Sequence, residues 1–382
     1  MLLIYRFCRV SATDILPDER LRNGVSTRID VSAHVMSALP SNIFDDPSLY
    51  WVEYRGERAM FAQMTRHTYH QSIFTDRQRI LASVPKPVIV DLDELISTQE
   101  KTGARPVDLK LIVHTANCGS TLLSRALDIP GRTIGYREPF PLRQLGVEDA
   151  ASCDGSGRPA EWGPRLNLAL TLLGRKFSES EIPVVKANIP VNFILTDVLD
   201  LLPNYRVIIL YSTLENFLIS ALKSPDRRKW LRAVANEMSS RLQFMFDTAG
   251  EVPKSMTDCK LAAALWAGQI HAYQRLIRCY SNVAVLESSK LFEQTEDALR
   301  RAAGFFEIDF SRADASRIAK SDLFQRYSKN PGRVYDDEAR KSEQARVRRD
   351  MQSDISEGQS WGDALMDRFK ITPQLSNTLL SE

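Results

Sequence analysis

The residues best suited to chemistry lie in Ala116-Asn117-Cys118-Gly119-Ser120-Thr121, where main-chain N–H groups, two hydroxyls and one glycine fall together. Glycine lets the main chain approach a ligand, and a helix beginning near Ser120 would turn its positive end toward the same point. Such a stretch is an anion cradle. Two charged residues accompany it. Lys186 follows the apolar pair Val184-Val185, an odd place for a core residue and a good one for a group that meets an anion. Glu138 stands immediately before Pro139, where a strand must stop.

The elements that must position these residues are legible as apolar runs. Leu109, Leu111, Ile112 and Val113 read as a buried strand running into the cradle. Residues 131–137 read as a second strand ending at Glu138, Ile182 to Lys186 as a third, and Tyr205 to Ser212 as a fourth. The stretch from Val283 to Ile308 reads as a fifth strand, a turn and a helix. Between them, helical spacing covers 165–176, 192–202, a stretch from Leu214 onward and the alanine-rich 258–280. Ligands of open α/β sheets bind at the carboxyl ends of the strands, so the cradle, Glu138 and Lys186 are expected in one crevice. The fold class is therefore α/β, a three-layer sandwich around a central parallel sheet.

The nucleotide triphosphatase pattern GxxxxGK[ST] is absent, since no lysine follows Gly119, and so is the glycine-spaced dinucleotide fingerprint. With its flanking His114-Thr115 and the following Thr121-Leu122-Leu123, the stretch instead resembles the phosphosulfate loop of the P-loop-like sulfotransferases. The strand and helix at 283–308, ending in Phe305-Phe306-Glu307-Ile308, resemble that family as well, and the resemblance spans about 109–335. It implies that Asn117, Cys118, Gly119, Ser120 and Thr121 bind the phosphosulfate of 3'-phosphoadenosine-5'-phosphosulfate, the sulfate donor. It further implies that Glu138 is the general base and that Lys186 contacts the transferring sulfuryl group. Ser212 and Ser220 take the positions of the 3'-phosphate ligands, and Lys329 and Arg333 fall in a basic loop that closes over that phosphate. The resemblance also implies a hydroxyl of a small molecule or glycan as the acceptor, and no metal.

Two departures from the family pattern matter. Asn117 stands where many members carry Lys or Arg, and Ser212 stands where they carry an arginine; neither brings charge to an anion. Arg137, Arg227, Arg228 and Arg326 are candidates to replace it. The alternative to an enzyme is a non-catalytic nucleotide- or anion-binding protein that retains the fold. A kinase-like phosphoryl transferase is disfavoured, because neither the loop lysine nor a magnesium-holding aspartate is visible.

Composition sets the outer limits. The chain has 382 residues, 43% of them hydrophobic, enough for a sizeable core. Fifty basic and 48 acidic residues give a net charge of +2, so nothing global favours nucleic acid or an anionic membrane and any anion site is local. Five scattered cysteines without CxxC spacing point to reduced thiols in a cytoplasm. Met1 to Val10, broken by Arg6, reads as a strand and not as a signal peptide. Residues 1–108 form an N-terminal extension or cap with a β-hairpin across Arg55-Gly56-Glu57-Arg58, and His67 and His70 read as part of a solvated loop. Residues 109–335 form the α/β domain, and 336–382 a helical tail in which 337–357 is one charged helix. Oligomeric state is left open.

Overall fold

A computed structural model describes residues 34–35, 39–83, 87–246, 255–327 and 330–380. The strand expected at residues 1–10 lies outside them. The first described strands are β1 (His34–Val35), β2 (Leu49–Arg55), β3 (Arg58–Gln63) and β4 (Val88–Asp91), which form a four-stranded sheet in the order β1-β4-β3-β2. The hairpin is present, with Arg55 paired to Arg58 and only Gly56 and Glu57 in the turn; Gly56 supplies the left-handed residue there (φ 57°).

The central sheet follows: β5 (Leu109–His114), β6 (Thr133–Arg137), β7 (Ile182–Lys186), β8 (Tyr205–Tyr211) and β9 (Val283–Glu287), all parallel, in the order β6-β7-β5-β8-β9. Alternation along each strand sorts its side chains between two cores. Leu111, Val113, Val185, Val207 and Ile209 join the large core on one face, and Ile112, Val184, Ile208 and Leu210 join a smaller core on the other. Helices cover both: Phe140–Ser152, Trp162–Leu173, Leu214–Leu222 and Asp258–Cys279 on the large side, Ser120–Ala126 and Thr295–Phe305 on the small side. The architecture is a three-layer α/β sandwich.

Several elements differ from expectation. The helix at 192–202 is a 3-10 turn, Ile189–Phe193, followed by a short helix, Leu195–Asp200. Charged residues 337–357 form two helices, Asp337–Asp350 and Gln352–Phe369. The second packs on Asp258–Cys279 and Leu214–Leu222, and a Cβ at Gly358 or Gly362 would sit 2.8 Å from Leu218 or 2.6 Å from Leu214; glycine is what permits that approach. The basic turn near 327–333 is an antiparallel ribbon of Arg326–Tyr327 with Asn330–Val334. At the far edge, Val285 N–H donates to Asn377 O (2.9 Å) and Leu379 N–H donates to Val285 O (2.7 Å), so the C-terminal segment lines β9.

The N-terminal sheet shares the large core with the central one. Tyr50, Tyr69 and Tyr136 form an aromatic group across the two, with centroids 5.3 to 6.4 Å apart. The segment read as a loop around His67 and His70 is a helix, Arg66–Gln71, because the Thr65 hydroxyl caps it by accepting from Thr68 N–H at 3.1 Å.

Candidate active site

The buried run of β5 ends at His114, and the chain then turns tightly through residues 115–119 into the helix Ser120–Ala126. Asn117 (φ 61°) and Gly119 (φ 93°) are both left-handed, which folds the turn back on itself. The main-chain N–H groups of Cys118, Gly119 and Thr121 donate to no carbonyl of the described chain. These are the donors an anion needs. Ser120 and Thr121 are buried at the start of the helix, and Cys118 is buried beneath them, its thiol donating to Leu210 O at 3.2 Å. Burial pushes the Cys118 thiol up to about 11, so it is a neutral hydrogen-bond donor and no nucleophile.

Glu138 and Lys186 meet at the ends of the neighbouring strands β6 and β7. Their side chains form an ion pair, and Glu138 N–H donates to Lys186 O at 2.7 Å. The Lys186 side chain is 1% exposed and that of Glu138 is 27% exposed, so the carboxylate is the member that reaches the crevice. Glu138 itself is left-handed (φ 58°), a conformation that costs a non-glycine residue about 1 kcal/mol or more and is kept at sites where placement matters. β7 lies beside β5, with Lys186 paired to Ile112, so the ion pair stands at the strand end next to the one that runs into the cradle.

One wall of this site comes from the N-terminal region and has no signal in the sequence. Phe74, almost fully buried, presents its ring to Lys186 Nζ at 5.4 Å, and the Arg79 guanidinium lies over the same ring at 5.0 Å. The wall is clamped to β6 through Arg137. That guanidinium donates to Tyr69 O (2.8 Å) and Ser72 O (2.7 Å) and pairs with Asp128, while Thr75 N–H donates to Arg137 O (2.8 Å). Arg66 (2.7 Å) and His70 (3.3 Å) complete the group around Asp128. Burial raises the Asp128 carboxyl, but the His70 hydrogen bond and the Arg137 and Arg66 charges outweigh it and hold it at about 2.

Arg137, a candidate replacement cation, is thus fully enclosed and committed to Asp128. Neither it nor Arg143 pairs with Glu138; Arg143 pairs with Glu237. Arg326 pairs with Asp322 (3.1 Å), and Arg228 donates to Leu222 O (3.1 Å). Ser212 is 4% exposed and engaged on every side: its N–H donates to Thr115 Oγ1 (3.0 Å), its hydroxyl lies 3.3 Å from the same atom, and its carbonyl accepts from Trp266 Nε1 (2.8 Å). It ties the ends of β5 and β8 together. Ser220 sits half-buried on the helix Leu214–Leu222. Lys329 lies outside the described residues, and of Arg333 only the main chain, in the ribbon strand, is described. Among the described residues no cluster of His, Cys, Asp or Glu could hold a metal ion.

Compared with known proteins, the chain matches no family model and no curated protein. It is similar to solved sulfotransferase structures. One is the sulfotransferase domain from the curacin biosynthetic pathway, at 15% identity and a TM-score of 0.36, over 72% of this chain and 95% of that one. Another is a sulfotransferase from Alicyclobacillus acidocaldarius, at 14% identity and a TM-score of 0.34, over 68% of this chain and 95% of that one.

Proposed function

We propose that the protein is a sulfotransferase that moves a sulfuryl group from 3'-phosphoadenosine-5'-phosphosulfate to a hydroxyl of a small molecule or glycan. The observation that carries this reading is the Glu138–Lys186 pair at adjacent strand ends, beside a turn whose amides at Cys118, Gly119 and Thr121 donate to no carbonyl of the described chain. The residues fit the donor's phosphosulfate end, where free amides and a cation are required, better than its 3'-phosphate end, where Ser212 is enclosed.

The donor, when bound, supplies a sulfuryl group on a good leaving phosphate. Glu138 takes the proton from the acceptor hydroxyl as its oxygen attacks sulfur in line. Lys186 and the turn amides hold the charge that builds on the sulfuryl and leaving oxygens. Phe74 shields the ammonium from solvent. No metal takes part in this scheme. The free thiols of Cys118, Cys153, Cys259 and Cys279 suit a reducing cytoplasm, and no described helix is long and apolar enough to cross a membrane.

Calorimetric titration with 3'-phosphoadenosine 5'-phosphate tests the binding step, and transfer of radiolabelled sulfate to a panel of hydroxylated acceptors tests the chemistry. Absence of heat and of any thermal shift would refute the reading. Binding without transfer would favour the second reading, a non-catalytic nucleotide-binding protein, which the charge-poor Asn117 and the enclosed Ser212 motivate.

A further inference from the structure

His114 ends β5 and is 5% exposed. Both ring nitrogens face main-chain carbonyl oxygens: Nδ1 is 3.0 Å from Thr115 O, and Nε2 is 2.9 Å from Ala187 O. A neutral imidazole has one N–H and one bare lone pair, so one of these contacts would set lone pair against lone pair in a buried place. An imidazolium donates to both. Its main chain is also fixed, since His114 O accepts from Asn192 Nδ2 (3.1 Å), which donates to Gln269 Oε1 as well (3.0 Å).

The position of the ring gives this a use. Ala187 follows Lys186, so the imidazole bridges the ends of β5 and β7, the strand that leads into the cradle and the strand that carries the lysine. We infer that His114 is held doubly protonated at neutral pH and supplies, at the junction of β5 and β7, the buried positive charge that Asn117 and Ser212 lack. On β7, the residue before Ala187 is Lys186, whose ammonium pairs with the Glu138 carboxylate at the end of β6. The helix Asp258–Cys279 contributes the uncharged Gln269 through Asn192, and β8 contributes Ser212 through Thr115. The two carbonyl dipoles solvate the charge in place of water. Its service to an anion rests on the sulfotransferase reading; its protonation does not.

The test is nitrogen-15 NMR on the full chain with labelled histidine, free of ligand at neutral pH. The His114 ring is expected to show two directly protonated nitrogens, assigned by their disappearance in His114→Gln. If that variant does not fold, Gln variants of His34, His67, His70 and His271 assign the ring by elimination. A single protonated nitrogen overturns the inference. In calorimetry with 3'-phosphoadenosine 5'-phosphate, His114→Gln is expected to bind on the order of tenfold more weakly, the loss of one charge-assisted contribution. Unchanged affinity in that variant overturns the role assigned to the charge. If the wild type itself gives no heat, the sulfotransferase reading fails, while the ring nitrogens of the free protein still decide the protonation state.

Discussion

Glu138 and Lys186 are joined twice, by an ion pair between side chains and by a main-chain hydrogen bond from Glu138 N–H to Lys186 O at 2.7 Å. The second contact ties the backbones of the two strand ends together whether or not the ammonium remains with the carboxylate. Replacing Glu138 by Gln keeps shape and hydrogen bonding but removes the proton acceptor. Sulfate transfer is expected to fall by about two to four orders of magnitude, with nucleotide affinity nearly unchanged. Lys186→Ala is expected to lower transfer by about two to three orders of magnitude and to weaken nucleotide binding as well. Steady-state kinetics beside calorimetry separates the two.

Gly119 is the next test. At φ 93°, an added Cβ would lie 3.0 Å from Leu291 and 3.1 Å from Phe292. Gly119→Ala therefore combines backbone strain with crowding, and a loss of roughly 1–3 kcal/mol in stability is expected. Because the same residue shapes the turn, nucleotide affinity should fall even where the variant remains folded. Thermal melts and calorimetry at a temperature well below the transition check both.

The clamp on β6 predicts an acid limit to stability. Asp128 is held at about 2 in the fold against an ordinary 3.8, so its charged form is favoured by folding. The contribution is complete above the ordinary value and is lost as pH falls through the folded one, a loss of about 2 kcal/mol from this group. Asp128→Ala is a harsher change, since it leaves the enclosed Arg137 without its carboxylate. Roughly 3–5 kcal/mol is expected in urea denaturation at neutral pH. Asp128→Asn should flatten the pH dependence between the two values.

Thiol chemistry offers a probe that needs no substrate. Cys279 is exposed, whereas Cys118 and Cys259 are buried with their thiols raised by burial. Iodoacetamide at neutral pH should label Cys279 within minutes and spare the other two until the chain unfolds. Peptide mapping reads the order. Early labelling of Cys118 would show that the floor of the cradle is open.

What could be read from the sequence follows from where the physics is local. Each strand of the central sheet is a short apolar run stopped by a polar tip, so its existence and the placing of Glu138 and Lys186 at carboxyl ends were both visible. That β6 lies beside β7, and therefore that the two residues touch, depends on the order in which strands meet across the sheet, which no stretch of sequence encodes. Arg137 misled for the same reason. An arginine beside an acidic tip looks available to an anion until the fold brings Asp128, Tyr69 and Ser72 around it. Phe74 gave no sign at all, being one phenylalanine among sixteen. The edge segment at 377–379 was missed because it pairs through a single bridge, next to the left-handed Asn377 (φ 63°), and carries no run of strand-forming residues.

That segment has a counterpart on the opposite side. Along β6, Thr75 N–H and the Arg66 guanidinium occupy the outward carbonyls of Arg137 and Thr133, much as residues 377–379 occupy the rim of β9. Each border strand of the parallel sheet is therefore partly capped from within, by pieces drawn from opposite ends of the described chain. Those contacts stand in the way of a stray polypeptide templating itself there, a partial guard against runaway strand stacking. Copies that associate by extending this sheet would first have to displace those segments.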